Sequence, residues 1–424
     1  MADPDAVHAL IKRSFNCHDP ALCVGGISIR TIADQYGTPL YVYDQQALKR
    51  ALSALRSSLP DGFQIYYSVK ANPNRAILKY FVKQECGLEV ASGGEYRKAR
   101  AAGCLADRIL YAGPGKTPAE LEFVLSEGIG EIHMESLLEA ERIASISVRL
   151  GRPARVAIRI NPSEEARGGA LLMGGKASPF GVDEERLEPL IDYVLAEASL
   201  DLQGIHIYMG TQILDTDLLI LHYRKALQLA RRVAARSAKP IRTVDFGGGL
   251  GIPYFSHEMP LALDVLKDAL AQLMGEIRCE ACFQGTRFLF EPGRFLVAEA
   301  GIYVARIVDI KTSRGKKFII VDGGMNHYLA ASGHLGQAIK RNFPIALLEK
   351  LDQPEEGTFE IVGPLCTPLD VLGRGVRLPK ADVGDLVGIF QSGAYALSAS
   401  PTGFLSHDLP AEVWVENGKH RKIH

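Results

Sequence analysis

Tyr66-Tyr67-Ser68-Val69-Lys70-Ala71-Asn72-Pro73-Asn74 decides the reading of this chain: an apolar, strand-like run meets a single lysine and is cut off by turn-forming residues. A lysine at a buried strand end is costly as a free ammonium. It either pairs with an acid or uses its amine in chemistry, commonly as a Schiff base. The stretch alone leaves both open.

Outward from Lys70 the same unit repeats. Short apolar runs at 65–69, 88–90, 109–111, 131–133, 155–160, 204–207, 243–246 and 288–290 alternate with helical periodicity at 75–84, 118–125, 137–148, 185–196, 218–235 and 261–274. Runs this short and apolar suit buried parallel strands, and eight β/α units predict an α/β protein built on a (β/α)8 TIM barrel. Residues 44–290 form that barrel. Residues 1–43 form an arm expected to pack with a mostly β C-terminal domain, 291–424, where β-rich runs at 302–310, 317–321, 359–362, 386–390 and 412–415 replace the helical rhythm. The glycine-rich insertion at 161–183 is expected to be a mobile loop near the active site.

Composition narrows the class. The chain has 424 residues, is 47% hydrophobic and carries a formal charge of -1, so no overall field draws it to nucleic acid or an anionic membrane. It has no apolar run long enough to span a bilayer and no secretory signal at its start, which predicts a cytoplasmic protein. Seven cysteines, odd in number and irregularly spaced, argue against a disulfide framework. Cys279 and Cys282 form a CxxC without the further ligands a structural zinc needs, so no metal is expected.

In a TIM barrel the working residues sit at the C-terminal ends of strands. Those ends carry Lys70, Glu89, His133, Arg159 with Asn161, His206 and Glu291, and the seventh strand runs into Asp245-Phe246-Gly247-Gly248-Gly249-Leu250-Gly251. Glycines after a strand let backbone N–H groups approach an anion, and the loops after strands seven and eight commonly bind phosphate. Glu291-Pro292-Gly293-Arg294 adds a glycine and an arginine. A lysine, a phosphate cradle and a carboxylate on neighbouring strand ends suit pyridoxal phosphate. A dinucleotide fingerprint is the rival reading of the glycines, but prolines and aromatics rather than a helix follow Gly251. Taken singly, His133 reads as a packed barrel-end residue, and Glu89 with Arg159 as a structural ion pair.

These motifs together resemble the fold-type III, alanine-racemase-like pyridoxal-phosphate decarboxylases, which include ornithine/arginine-type and diaminopimelate enzymes. The resemblance covers nearly the whole chain. It implies that Lys70 is the Schiff-base lysine, that His206 stacks on the cofactor ring, that Gly247, Gly248, Gly249, Gly293, Arg294 and Tyr395 serve the phosphate, and that Glu291 meets the pyridine nitrogen. Gly363-Pro364-Leu365-Cys366-Thr367-Pro368-Leu369-Asp370 resembles the family's cysteine motif, and Ser392-Gly393-Ala394-Tyr395 its tyrosine motif. By resemblance the enzyme is a homodimer in which Cys366 reaches the partner's barrel mouth, either Cys366 or Lys70 returns the proton, and Arg159, Thr367 and Asp370 contact substrate. Diaminopimelate and diamine-forming members carry an acid after that cysteine, to meet a distal ammonium; Thr367 is neutral, a poor match for such a group. The wording around Cys366 looks most like a subgroup in secondary metabolism that acts on carrier-protein-bound or siderophore-intermediate amino acids. A decarboxylase of a free amino acid and a racemase or epimerase on the same barrel are the rivals. The complete β domain argues against a non-enzymatic cofactor-binding regulator.

Overall fold

A computed structural model of the chain describes residues 4–15, 20–163, 171–172, 177–255, 257–335, 337 and 340–423. Residues 164–170 and 173–176 of the insertion expected to be mobile lie outside the described residues. No helix among the described residues is long and apolar enough to cross a membrane. The chain divides into two compact units: one holds Ala54–Ile252 and Pro260–Gly293, the other the chain up to Ser53, Pro253–Met259 and everything from Arg294 onward.

The first unit is a closed parallel barrel. Its strands are β1 (Phe63–Ser68), β2 (Gly87–Val90), β3 (Ile109–Tyr111), β4 (Glu131–Met134), β5 (Ala154–Asn161), β6 (Leu200–Ile207), β7 (Thr243–Asp245) and β8 (Arg287–Phe290). Each pairs with the next in sequence, and β8 returns to β1 through Phe288↔Phe63 and Phe290↔Ile65, so the sheet has no free edge. All eight expected strands are present. The aromatic residues at the end of the barrel bind it together: Phe290 is fully buried, with its ring centroid 5.4 Å from Phe63 and 5.5 Å from Phe246. Its truncation to alanine is expected to cost about 3–5 kcal/mol.

The helices begin where side chains can satisfy the first orphan amides. Thr117 caps Pro118–Glu127 in a reciprocal capping box with Glu120, and Ser136 caps Leu137–Leu150 through Glu139 N. One helix, Gly93–Ala101, was not expected from the periodicity. Its apolar positions are few and it opens on two glycines, yet Ser92 accepts from Glu95 N, and Glu95 Oε2 accepts from Ala91 N. That Ser-x-x-Glu spacing was the available signal.

The second unit is a mostly β domain around Gly301–Ser313. This long strand pairs antiparallel with Lys316–Val321, Leu386–Ile389 and Leu40–Asp44, and the last runs parallel to Ala411–Glu416. Leu40–Asp44 is thus a central strand, and its Leu40 and Val42 share one core with Val7, Leu10, Ile302, Val304 and Val413. Val371–Leu378, interrupted by Gly373 and Gly375, pairs with Gly357–Val362 and has no continuous apolar pattern to reveal it.

Candidate active site

Within the barrel unit, the backbone leaves β1 at Ser68 and tightens into a 3-10 turn, Val69–Ala71, which turns Lys70 out of the sheet. Lys70 is consequently exposed, not buried as the sequence suggested: its side chain is 44% accessible, while Glu89 at the end of β2 is fully buried. The two ends meet, with Lys70 Nζ 3.1 Å from Glu89 Oε2, and Ser68 Oγ also donates to Glu89. The acid partner and the chemically available amine are thus compatible readings of one lysine. Glu89 does not pair with Arg159. That guanidinium donates instead to Glu135 Oε1 at 2.8 Å and lies 5.1 Å from the centre of the Phe180 ring.

Glu135 belongs to a buried brace that sequence reasoning missed. Its oxygens also accept from Gly113 N and Gly181 N, and Glu139 Oε2 accepts from Glu135 N. Lys116, almost wholly buried, donates to Glu139 and to the carbonyls of Gly113 and His133. Burial works against ionisation of Glu135, but Arg159 and Lys116 outweigh it and hold the carboxyl below its usual range. The brace fixes where Arg159 points.

His206 from β6 and Glu291, which follows β8, stand at the barrel mouth with Nε2 and Oε2 3.4 Å apart. Burial depresses the His206 pKa to about 4, so at neutral pH the ring is uncharged and has one N–H to offer. Glu291 is held below the usual carboxylate range: burial opposes ionisation, but His206, His133 and Lys70 prevail. Gly247 and Gly249 have φ of +68° and +95°, and a Cβ on Gly248 would lie 2.6 Å from Glu291 O. The glycines are therefore required by close approach as well as by backbone conformation. Gly293 is equally tight, its Cβ position 2.8 Å from Ala71 Cβ.

The second unit gathers Arg294, Tyr254 and Tyr395. Arg294 Nη1 donates to Tyr254 Oη at 2.7 Å, and its guanidinium carbon lies 4.8 Å from the centre of the Tyr395 ring. Tyr395 has a φ of +52°, unusual for a bulky side chain. Cys366 is exposed on its loop. Thr367 follows, its Oγ1 accepting from Leu369 N at 3.3 Å. Asp370, expected to contact substrate, is buried, with its oxygens accepting from Met325 N and Leu365 N; the structure makes it the brace of the cysteine loop.

A sequence profile described as pyridoxal-dependent decarboxylase, pyridoxal binding domain, matches residues 45–298. The chain belongs to the pyridoxal-dependent decarboxylases. Among curated relatives, the L-glutamyl-(BtrI acyl-carrier protein) decarboxylase of Niallia circulans is 39% identical over 398 residues, covering 93% of this chain and 92% of that protein. The 2-((L-alanin-3-ylcarbamoyl)methyl)-2-hydroxybutanedioate decarboxylase of Staphylococcus aureus is 31% identical over 389 residues, 89% of this chain and 94% of that one. The crystal structure of diaminopimelate decarboxylase from M. jannaschii in complex with L-lysine aligns with a TM-score of 0.88 at 28% identity, covering 96% of this chain and 93% of that one. This decarboxylase is therefore a carboxy-lyase that uses pyridoxal phosphate. The residues present fit the cofactor: among the described residues Glu291 Oε1 and His206 Nδ1 are buried without a hydrogen-bond partner, and the glycine run leaves no room for side chains where an anion needs backbone amides.

Proposed function

We propose that this decarboxylase acts on an α-amino acid carried on a larger group, a carrier-protein conjugate or a siderophore-type intermediate. The observation that carries the reading is the neutral Thr367 after Cys366, which offers no carboxylate to a distal ammonium. Two relatives support it: the Niallia circulans enzyme is named for a carrier-bound glutamyl group and the Staphylococcus aureus enzyme for an alaninyl amide of a hydroxy acid.

When bound, pyridoxal phosphate supplies the electron sink that accepts the pair left by departing carbon dioxide. The chain's residues do the rest. Lys70 gives the amine that tethers the cofactor, and Glu89 orients that amine. His206 presents an uncharged ring to stack on, Glu291 fixes the ring nitrogen, and Gly247, Gly248, Gly249, Gly293, Arg294 and Tyr395 hold the phosphate. Arg159, aimed by Glu135, binds a substrate carboxylate. Cys366, from the partner chain of a homodimer, returns a proton to the α-carbon. No disulfide joins the described cysteines, in keeping with the cytoplasmic location proposed here.

The test is carbon dioxide release across free glutamate, diaminopimelate, ornithine and lysine, citryl conjugates and carrier-loaded amino acids. The reading predicts turnover of a conjugate well above every free amino acid. Preferential turnover of free diaminopimelate or ornithine, or racemisation without carbon dioxide release, contradicts it.

A further inference from the structure

Below the mouth, the barrel interior holds a column of titratable side chains that the reaction as outlined does not use. His133 on β4 has Nε2 3.3 Å from Glu131 Oε1 and 3.9 Å from Asp245 Oδ2, while Nδ1 lies 3.9 Å from Glu291 Oε1. Its ring centroid is 4.5 Å from that of His206. Behind it, Glu131 Oε2 accepts from Thr243 Oγ1 at 3.0 Å and pairs with Arg287 Nη2 at 3.3 Å. Glu131, His133, Thr243 and Asp245 are all fully buried.

The charges in this column constrain one another. Three carboxylates, Glu131, Asp245 and Glu291, face one guanidinium and two imidazoles. Burial, reinforced by Glu291 and Glu131, pushes Asp245 far above the carboxylate range, so it keeps its proton, and Gly247 N donates to its other oxygen at 2.8 Å. Glu131 and Glu291 then need two cations. Arg287 is one. His206 is uncharged, and His133, whose ring nitrogens make no hydrogen bond among the described residues, lies within ion-pairing distance of a carboxylate on either side, Glu131 at 3.3 Å and Glu291 at 3.9 Å, the place where a cation between two anions would sit. The other charged neighbours are already matched: Lys116, which donates to the His133 carbonyl, is paired with Glu139, Arg159 with Glu135 and Lys70 with Glu89.

We propose that His133, backed by Glu131, is a positioning residue that stands as an imidazolium beneath Glu291 and keeps that carboxylate ionised, so that the proton shared between Glu291 and the cofactor's ring nitrogen resides on the nitrogen. The inference rests on the reading that Glu291 meets the ring nitrogen. A cation on the far side of Glu291 stabilises its charged form. Removing the cation moves the shared proton from nitrogen towards carboxylate and weakens the ring as an electron sink.

The experiment reconstitutes the enzyme with cofactor labelled with 15N in the ring and follows that signal from pH 6.5 to 8.5 (a range of about two units about neutrality) in wild type, His133→Gln and Glu291→Gln. The proposal expects a protonated ring nitrogen in wild type, a shift towards the unprotonated position in His133→Gln, and a kcat lower by about ten-fold or more, the result of moving the equilibrium by one pKa unit, with KM within about two-fold. An unchanged ring signal in His133→Gln, with Glu291→Gln shifted, overturns the role of His133 and leaves Glu291 in place. An unchanged signal in Glu291→Gln overturns the underlying reading as well. If His133→Gln does not fold, 15N-histidine spectra of wild type decide: His133 with both nitrogens protonated at pH 7 supports the proposal, and a singly protonated ring overturns it.

Discussion

Lys70 shows how much one residue's surroundings determine its chemistry. Its amine is held against a fully buried acid but remains accessible, the combination that the proposed Schiff-base role requires. Lys70→Ala is expected to lower turnover by several orders of magnitude, about the loss seen when an activated nucleophile is removed, and the substituted protein should still take up cofactor non-covalently, as read by its absorbance. His206 gives a pH signature. Its pKa falls from 6.5 in the unfolded chain to about 4 in the folded one, so between those values the unfolded state binds the extra proton. Stability therefore declines as pH falls through that window, by up to about 3 kcal/mol. Urea midpoints of cofactor-free protein should show it as a slope that is shallower in His206→Asn; equal slopes would remove His206 from the acid sensitivity.

At the scale of elements, the strands of the barrel were legible because each is a short apolar run closed by a turn, and their order then located Lys70, Glu89, His206 and Glu291 at one end. What stayed hidden was the interior. Glu131 with His133, and Thr243 with Asp245, lie two residues apart and so share a strand face. That spacing was visible, but which strand ends face one another depends on barrel closure, a non-local property. Likewise the Glu135 and Lys116 brace joins the start of a helix to a loop between other elements. The helix Gly93–Ala101 and the strand Val371–Leu378 were missed because glycines break the patterns that reveal such elements. The glycine loop itself permits a sharp test. Gly248→Ala puts a methyl against the Glu291 carbonyl, and cofactor affinity should fall by about ten-fold or more, the equivalent of about 1.4 kcal/mol of strain. Titration of the cofactor into the variant measures it, and an unchanged affinity would show that the loop can yield. In the cysteine loop, Asp370→Ala leaves one buried and one half-buried amide without an acceptor and should cost about 1–3 kcal/mol of unfolding free energy. A chemical denaturation curve matching wild type would deny Asp370 its bracing role.

At the scale of the whole molecule, the second unit is organised by Gly301–Ser313 and by Leu40–Asp44, a strand supplied from far earlier in the chain. The arm is expected from sequence to pack with this domain, but that strand's neighbours are not legible there, because parallel pairing with Ala411–Glu416 joins residues at opposite ends of the sequence. The proposed homodimer, with Cys366 serving the partner's barrel, makes a quantitative prediction. Lys70→Ala and Cys366→Ala chains, each nearly inactive alone, should regain activity when mixed and reassembled, approaching roughly a quarter of wild type as hybrid dimers form one intact site each. No recovery on mixing, with exchange of chains shown by mass, would place Cys366 in its own chain's site or outside the mechanism.

The most direct test of the account is chemical. Protein reconstituted with pyridoxal phosphate, reduced with borohydride and digested should carry the cofactor on the peptide containing Tyr67-Ser68-Val69-Lys70-Ala71-Asn72, with Lys70 as the modified residue. A colourless protein that cannot be reconstituted, or a label fixed on any other lysine, would contradict it.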